Sequence, residues 1–389
     1  MRPWLLVGIL ALSSVGTLSA QDTIRVCTYN TLLYSVSNED GRTEKFRDIL
    51  NEIKPHILVC QEVADASLGP RFVTDVMSWG SFAASPFNDG PDTDNQILYD
   101  QTKFALLSIE YLSTELRDIG VYVLSRLNTF ALDTITIYSV HLKAQDNSED
   151  AQQRLREVQV LQAHAAGRER AIVIGDLNIY GPEEPAYNAL LEPTTGLTFV
   201  DPLGTTWQRN VVAYLPFYTQ ATRTDGDGAC GGGVGGGLDD RFDLILVTEN
   251  LKDAVIPGSY RVLGNDGQDR RNGSVDVPTN TAVSPAIAAA LRCASDHLPV
   301  YADIVWGEVP ASVNDDAGSS WLRQEGSTLV ITTNEHHAPM RIFDLLGRQV
   351  LAEQPLPSPW RVDVSGLQQT GIYVVNVGTQ CAPIHITAR

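Results

Sequence analysis

Apolar runs that end on a polar side chain recur along the chain. Ile24-Arg25-Val26-Cys27-Thr28-Tyr29-Asn30 alternates with the period of a strand and ends on Asn30. Phe46, Ile49, Leu50 and Ile53 then fall at helical spacing with Pro55 as the stop, and Ile57 to Val63 reads as a buried strand carrying Gln61 and Glu62 at its end. Strand, helix, strand in this order predicts a parallel pair joined by a right-handed crossover, which brings Asn30 and Glu62 to one rim. On this segment alone Glu62 reads equally well as a solvated strand end.

Asn95 to Tyr99, Phe104 to Ile109 and Gly120 to Ser125 are short runs that fit an antiparallel meander. Thr134 to His141 is a clearer strand, continued by Leu142 and Lys143, and His141 stands at its end. Ser148 as cap, with Glu149 and Asp150 in the first turn, starts a helix whose stripe is Leu155, Val158 and Leu161 or Gln162, up to Ala166. Ala171-Ile172-Val173-Ile174 follows as a fully buried strand. The turn after it carries Asp176 and Asn178, two positions apart and so offered on one side of the chain. An Asp after a strand serves equally as a turn former. Pro182 opens a short helix to Leu191.

Glycine dominates from Gly226 to Gly237; without the Lys-Ser/Thr ending of a P-loop the stretch reads as a flexible connector. Asp243 then sits just inside an apolar strand, where an acid needs a partner. The candidate partner lies in Ser295-Asp296-His297, ahead of a closing strand from Val300 to Val305.

The N-terminus adds a compartment to this picture. A basic start, an apolar stretch from Leu5 to Leu12 and small residues up to Ala20 predict a signal peptide over residues 1–20, too short for a retained membrane span. No later segment looks transmembrane. The length of 389 residues and 43% hydrophobic content allow one large domain and a small one. The net charge of -19 is the constraint on partners. Such a surface repels polyanions at long range and argues against tight electrostatic wrapping of nucleic acid, whereas a divalent metal reverses the field locally. The five cysteines show no metal-ligand spacing. Cys27 and Cys60 read as buried thiols, and Cys230 and Cys293 lie near the proposed site segments, where they can bridge.

In chain order, Asn30, Gln61-Glu62, His141, Gly175-Asp176-Leu177-Asn178, Asp243 and Ser295-Asp296-His297 resemble the endonuclease/exonuclease/phosphatase superfamily. That group includes DNase I-like nucleases, abasic-site endonucleases, sphingomyelinases and inositol-polyphosphate phosphatases. The resemblance covers residues 21–306 and implies an α/β (α+β) fold of two packed mixed β-sheets flanked by helices. It implies a metal-dependent phosphoric ester hydrolase in which Glu62 binds the metal, with Asn30 and Asp296 close to it. Mg²⁺ suits these oxygen ligands, with Mn²⁺ or Ca²⁺ as alternatives. Asp176 would activate water, Asn178 would bind phosphate, and His297 paired with Asp243 would hold a non-bridging phosphoryl oxygen. His141 would stabilise or protonate on the same cluster, and Asn95 is a further candidate substrate contact.

The leading expectation is a monomeric extracellular nuclease. A phosphatase or a sphingomyelinase-like phospholipase is the alternative within enzymes, and a catalytically inactive surface-binding module the alternative from another class. Two features bear on substrate: the acidic domain shows no basic stripe or aromatic stacking platform, and the glycine-rich insertion and the segment from Gly264 to Asn272 look like additions around the rim.

Residues 307–320 read as a linker. Beyond it, Thr328 to Thr332, Met340 to Asp344, Trp360 to Val364 and Gly371 to Val377 alternate as a small all-β sandwich does. Ile342-Phe343-Asp344-Leu345-Leu346-Gly347-Arg348, Leu367 and Gly371-Ile372-Tyr373 resemble the C-terminal sorting domain of type IX secretion, over residues 321–389. That resemblance implies the type IX secretion machinery as a partner and a secreted or cell-surface location. A small carbohydrate- or protein-binding sandwich is the other reading.

Overall fold

A computed structural model describes residues 23–38, 40–127, 133–194, 196–204, 206–226, 230, 232–306, 322–325, 327–332, 340–343, 349–353, 359–366, 371–377 and 380–386. The expected signal peptide and linker lie outside these residues. In chain order the elements begin with β1 (Thr23–Tyr34), α1 (Arg42–Ile53), β2 (Ile57–Val63), α2 (Leu68–Arg71), β3 (Phe82–Ala84), β4 (Asp94–Asp100), β5 (Phe104–Leu112) and β6 (Ile119–Arg126). They continue with β7 (Thr134–His141), α3 (Ser148–Ala165), β8 (Ala171–Asp176), α4 (Pro185–Leu191), β9 (Phe199–Val200), β10 (Asp243–Thr248), β11 (Arg261–Val262), α5 (Pro285–Ala294) and β12 (Val300–Val305).

Two mixed six-stranded sheets result, in the orders β11-β12-β1-β2-β4-β3 and β5-β6-β7-β8-β10-β9. Each contains one parallel pair, β1 with β2 and β7 with β8. The run Ala171-Ile172-Val173-Ile174 is apolar throughout because both of its faces are buried. Ile172 and Ile174 join the core shared with the first sheet, whereas Ala171 and Val173 join the cluster under α3 and α4. Ile245 and Val247 of β10 and Ile135 and Ile137 of β7 keep the same parity, so odd-numbered β7 and β10 positions face the first sheet. On the outer side of that sheet, Phe46, Ile49, Leu50 and Ile53 of α1 bury the stripe read from the sequence.

The structure corrects several boundaries. β7 ends at His141, although the Leu142 N–H still donates to the Asp176 carbonyl at the end of β8 at 3.0 Å. The cap of α3 is Asn147 rather than Ser148: its side chain accepts from the N–H groups of Glu149 and Asp150, each at 3.0 Å. The buried face of α3 includes Arg154 and Glu157 while Leu155 is only half-buried, since Arg154 donates to Glu184 at 2.9 Å and to the carbonyls of Lys143 and Gln145. α4 starts at Pro185, not Pro182, with Glu184 ahead of it engaged by Arg154.

The tail forms β13 (Leu322–Glu325), β14 (Thr328–Ile331), β15 (Met340–Phe343), β16 (Gln349–Glu353), β17 (Trp360–Asp363), β18 (Gly371–Val377) and β19 (Gln380–Ile386). These make sheets β13-β14-β17 and β16-β15-β18-β19, around one apolar cluster that includes Leu329, Ile342, Trp360 and Val375. Among the described residues, no helix is long and apolar enough to cross a membrane.

Candidate functional site

The two parallel pairs end near one another, and the polar residues collect there. Register places His141 beside Asp176 across β7 and β8, and Asp243 beside Asp176 across β8 and β10. By the parity of their strands all three side chains project between the sheets. The close approach of β8 to β7 requires Gly175. Its φ is +145°, and a Cβ there would lie 2.0 Å from the Val140 carbonyl oxygen. From the first sheet, Asn30 enters from β1 just before a break in register, and Glu62 sits on β2 with φ +51°.

Asn30 ties the two sheets together. Its amide nitrogen lies 3.1 Å from Glu62 Oε1, 3.1 Å from Asp176 Oδ2 and 3.4 Å from His297 Nε2, while its oxygen accepts from the Leu32 N–H. His297 Nδ1 is 2.7 Å from Asp243 Oδ2, and its Nε2 is 3.6 Å from Asp176 Oδ2. His141 Nε2 is 3.5 Å from Asp176 Oδ2 and 3.9 Å from Glu62 Oε1, with Nδ1 held by Thr93. Asn178, in the left-handed region at φ +49°, donates its amide to the Leu142 carbonyl, and its N–H donates to Asp176 Oδ1. Asp296 Oδ2 accepts from the Val234 N–H at 2.7 Å. The structure thus gathers Asn30, Glu62, His141, Asp176, Asp243 and His297 into one network, with Asn178 and Asp296 at its margins. Asn95 stands apart: its amide nitrogen donates to the Asp118 carbonyl, and its buried side-chain oxygen finds no partner among the described residues.

Burial and like charge shape the ionisation of this cluster. Burial pushes the Asp176 carboxyl up to about 7; His297 opposes the rise, and the charges of Asp243 and Glu62 add to it. Glu62 is raised by burial and by Asp296, against the bond from Asn30. Burial alone would strip a proton from His297, but Asp243 and Asp176 outweigh it and hold the imidazolium well above its ordinary range. His141 is driven well below it, by burial first and then by the cations Arg117 and His297.

Among the described residues, the ion-pair partners of Glu62, Asp176 and Asp243 are the two histidines and not Lys or Arg. Crowded carboxylates without a fixed side-chain cation suit a hard divalent ion, and Glu62 and Asp296 offer oxygen as such an ion prefers, while Asn30 lies beside them with its amide nitrogen on Glu62 and its oxygen on the Leu32 N–H. No set of three His, Cys, Asp or Glu residues is gathered as a complete cage among the described residues. Mg²⁺ does not ask for one, because it is usually held by one or two carboxylates with water and substrate oxygens. The donor set therefore fits the metal implied by the sequence resemblance.

Several further groups position the site. The Ser295 hydroxyl donates to the Asn30 carbonyl at 2.7 Å and accepts from the His297 N–H, locking the two chain ends together. Arg42 donates to the carbonyls of Thr31, Leu32 and Ala294, fastening β1 beyond Asn30 to the end of α5. Thr219 accepts from the N–H groups of Phe242 and Asp243 through its hydroxyl, and its carbonyl accepts from the Leu298 N–H. The glycine-rich stretch, read as a connector, reaches Asp296 through Val234 and is anchored by a Cys230–Cys293 disulfide. Cys27 and Cys60 are buried free thiols, as expected. Only Ser295 belonged to a legible motif; the other positioning groups follow no period.

Comparison with known proteins follows the same outline. The sequence matches the profile of the Endonuclease/Exonuclease/phosphatase family over residues 27–297. A search of curated proteins finds no match. Among solved structures, D. rerio TDP2 complexed with single strand DNA product aligns with a TM-score of 0.49 and 16% identity, over 72% of this chain and 98% of that one. The human Nocturnin catalytic domain with bound sulfate anion gives 0.47 and 18%, over 73% and 95%. An endonuclease/exonuclease/phosphatase family protein from Bacteroides thetaiotaomicron gives 0.47 and 17%, over 74% and 99%. The profile match begins on β1 and closes on His297, so it encloses every residue of the network described above: this chain belongs to the Endonuclease/Exonuclease/phosphatase family.

Proposed function

We propose that this protein is a metal-dependent phosphodiesterase acting outside the cell, with nucleic acid as its first candidate substrate. The observation that carries the reading is the buried Asp243–His297 pair, which aims a charged imidazole at the point where Asn30 and Asp176 meet. Glu62, with Asn30 and Asp296 beside it, would hold a divalent ion such as Mg²⁺, which supplies charge neutralisation on the phosphoryl group. The chain's own groups do the rest. Asp176, raised toward neutrality, orients and deprotonates the attacking water. His297 donates from Nε2 to a non-bridging phosphoryl oxygen while Asp243 holds Nδ1. His141, neutral in this setting, offers a hydrogen bond rather than a charge, and Asn178 lies within the same turn to meet a second phosphoryl oxygen.

The net charge of -19 favours a second reading within the same chemistry, a small or lipid phosphodiester in place of a long polyanion. The predicted signal peptide and the resemblance of the tail to a type IX sorting domain support the extracellular assignment. Purified protein is assayed on plasmid DNA, RNA, sphingomyelin and bis(p-nitrophenyl) phosphate, with Mg²⁺ and with chelator. Chelator-sensitive nicking supports the nuclease reading, and turnover confined to lipid or small diester moves the substrate while keeping the site. Silence on all four substrates refutes the enzyme reading and favours a surface-binding module.

A further inference from the structure

Residues 219–223 form an irregular strip laid between the start of β10 and the loop that carries Asp296 and His297. Backbone bonds fix it on both sides. The Gln220 N–H donates to the Asp240 carbonyl, the Gln220 carbonyl accepts from the N–H groups of Asp239 and Asp240, and the Thr222 N–H donates to the Asp296 carbonyl at 3.0 Å. The neighbouring polar side chains are engaged with backbone. Thr219 holds Phe242 and Asp243, Thr222 donates to the carbonyls of Ser295 and Arg292, and Arg223 donates to those of Arg292, Ser295 and Gly232.

The side chain of Gln220 is the exception. Among the described residues its amide reaches no backbone group; its nitrogen lies 2.7 Å from His297 Nε2 and 3.4 Å from Asp296 Oδ2. The residue is half-buried, so the amide stays within reach of a ligand. The Nε2 atom of His297 is thereby flanked by two amide nitrogens, Gln220 at 2.7 Å and Asn30 at 3.4 Å. Because His297 donates from Nε2, that atom and the two amide nitrogens are all donors, and an anionic oxygen is a group that can accept from them together, in the manner of an oxyanion hole.

The geometry points to Gln220 as a catalytic residue that donates to the same non-bridging phosphoryl oxygen as His297. This rests on the phosphodiesterase reading above. In the free protein the Gln220 amide donates to Asp296 Oδ2 and lies beside the protonated His297 Nε2; on binding, the phosphoryl oxygen accepts from both Gln220 and His297. No covalent step is involved, so Gln220 acts through hydrogen bonding alone. Its effect falls on kcat, because charge on that oxygen grows toward the transition state.

The test compares wild type, Gln220→Ala and Gln220→Glu as full chains with Mg²⁺, reading kcat and KM on bis(p-nitrophenyl) phosphate, thermal midpoint, and binding of inorganic phosphate by calorimetry. Loss of one oxyanion donor lowers kcat roughly 10²-fold in Gln220→Ala. The carboxylate of Gln220→Glu repels the phosphoryl group and lowers it further, with phosphate affinity falling in the same order and the midpoint unmoved. Equal activity within twofold for all three chains, with equal phosphate binding, overturns the assignment and leaves the phosphodiesterase reading standing. Equal losses in both variants, accompanied by a lowered midpoint, overturn it in favour of a purely structural glutamine. A wild type inactive on every diester refutes the phosphodiesterase reading; phosphate binding then still decides Gln220, since weakened binding in Gln220→Ala supports its contact with the anion and unchanged binding removes it.

Discussion

His297 Nδ1 and Asp243 Oδ2 stand 2.7 Å apart with side-chain exposures of 3% and 0%, and Asp243 Oδ1 has no hydrogen-bond partner among the described residues. The imidazolium is the principal compensation for that buried carboxylate, and the carboxylate is what keeps the ring charged. Asp243→Asn removes the charge and keeps the shape. We expect kcat on a phosphodiester to fall roughly 10²- to 10³-fold, as for loss of a charged donor in the transition state.

The same pair sets a pH dependence of definite sign. A histidine raised on folding adds stability that is full below its unfolded pKa of about 6.5 and is lost as pH rises through the folded value. In Asp243→Asn this alkaline limb flattens, and the His297 ring titrates at lower pH than in wild type. NMR titration of the ring and denaturation across pH 6 to about 10 measure both; an unchanged ring titration would show that Asp243 does not hold the proton.

Asp176→Ala leaves every bond of the β7, β8 and β10 ladders intact, because only the side chain is lost. It also relieves repulsion with Asp243 and Glu62, so the thermal midpoint stays level or rises. Hydrolysis falls by about 10²- to 10⁴-fold, the range of a removed general base. A variant that folds and retains wild-type turnover assigns the water to another group.

Gly175→Ala tests the backbone beneath the site. The added Cβ meets the Val140 carbonyl, so β7 and β8 must part and His141 and Asp176 must separate. We expect a loss of about 1–3 kcal/mol in chemical denaturation, with activity falling further than stability does.

Asp266 and Arg270 form a fork away from the site, both with 1% side-chain exposure, that organises the loop after Gly264. Burial alone would raise the carboxyl, but Arg270 and the N–H groups of Thr281 and Gln268 bring it to about 2. A depressed carboxylate contributes stability above its unfolded pKa of about 3.9, lost as pH falls through the folded value. Asp266→Asn leaves Arg270 buried without a counter-charge and costs about 3–5 kcal/mol at neutral pH. It also removes part of the acid limb between pH 4 and about 2 in an unfolding series.

The sequence was most informative where apolar runs stop. His141 and Asp176 end their strands, Asp243 begins its own, Glu62 lies one residue from the end of β2, and Asn30 stands inside β1, which runs on to Tyr34 past the end read from the sequence; a polar residue beside such apolar runs is conspicuous against Val, Ile and Leu. Gln220 and Thr219 carried no such contrast. Their places depend on backbone pairing with Asp240 and with Leu298, contacts that no local pattern encodes. Arg154 and Glu157 defeated the binary reading of α3 for a related reason: charged residues look solvent-facing until the partner, Glu184 or the Lys143 N–H, is seen. The glycine-rich loop looked like slack chain, yet Gly233 packs where a Cβ would come within 3.0 Å of Asp296.

β1 is flanked by β2 on one side and by β12 on the other, so Thr23 pairs with Val305. A ribosome therefore releases the strand that carries Asn30 long before the chain that must close upon it exists. Until His297 has emerged, the nascent protein has neither its last central pairing nor its charged imidazole. A truncated translation product therefore lacks the assembled site.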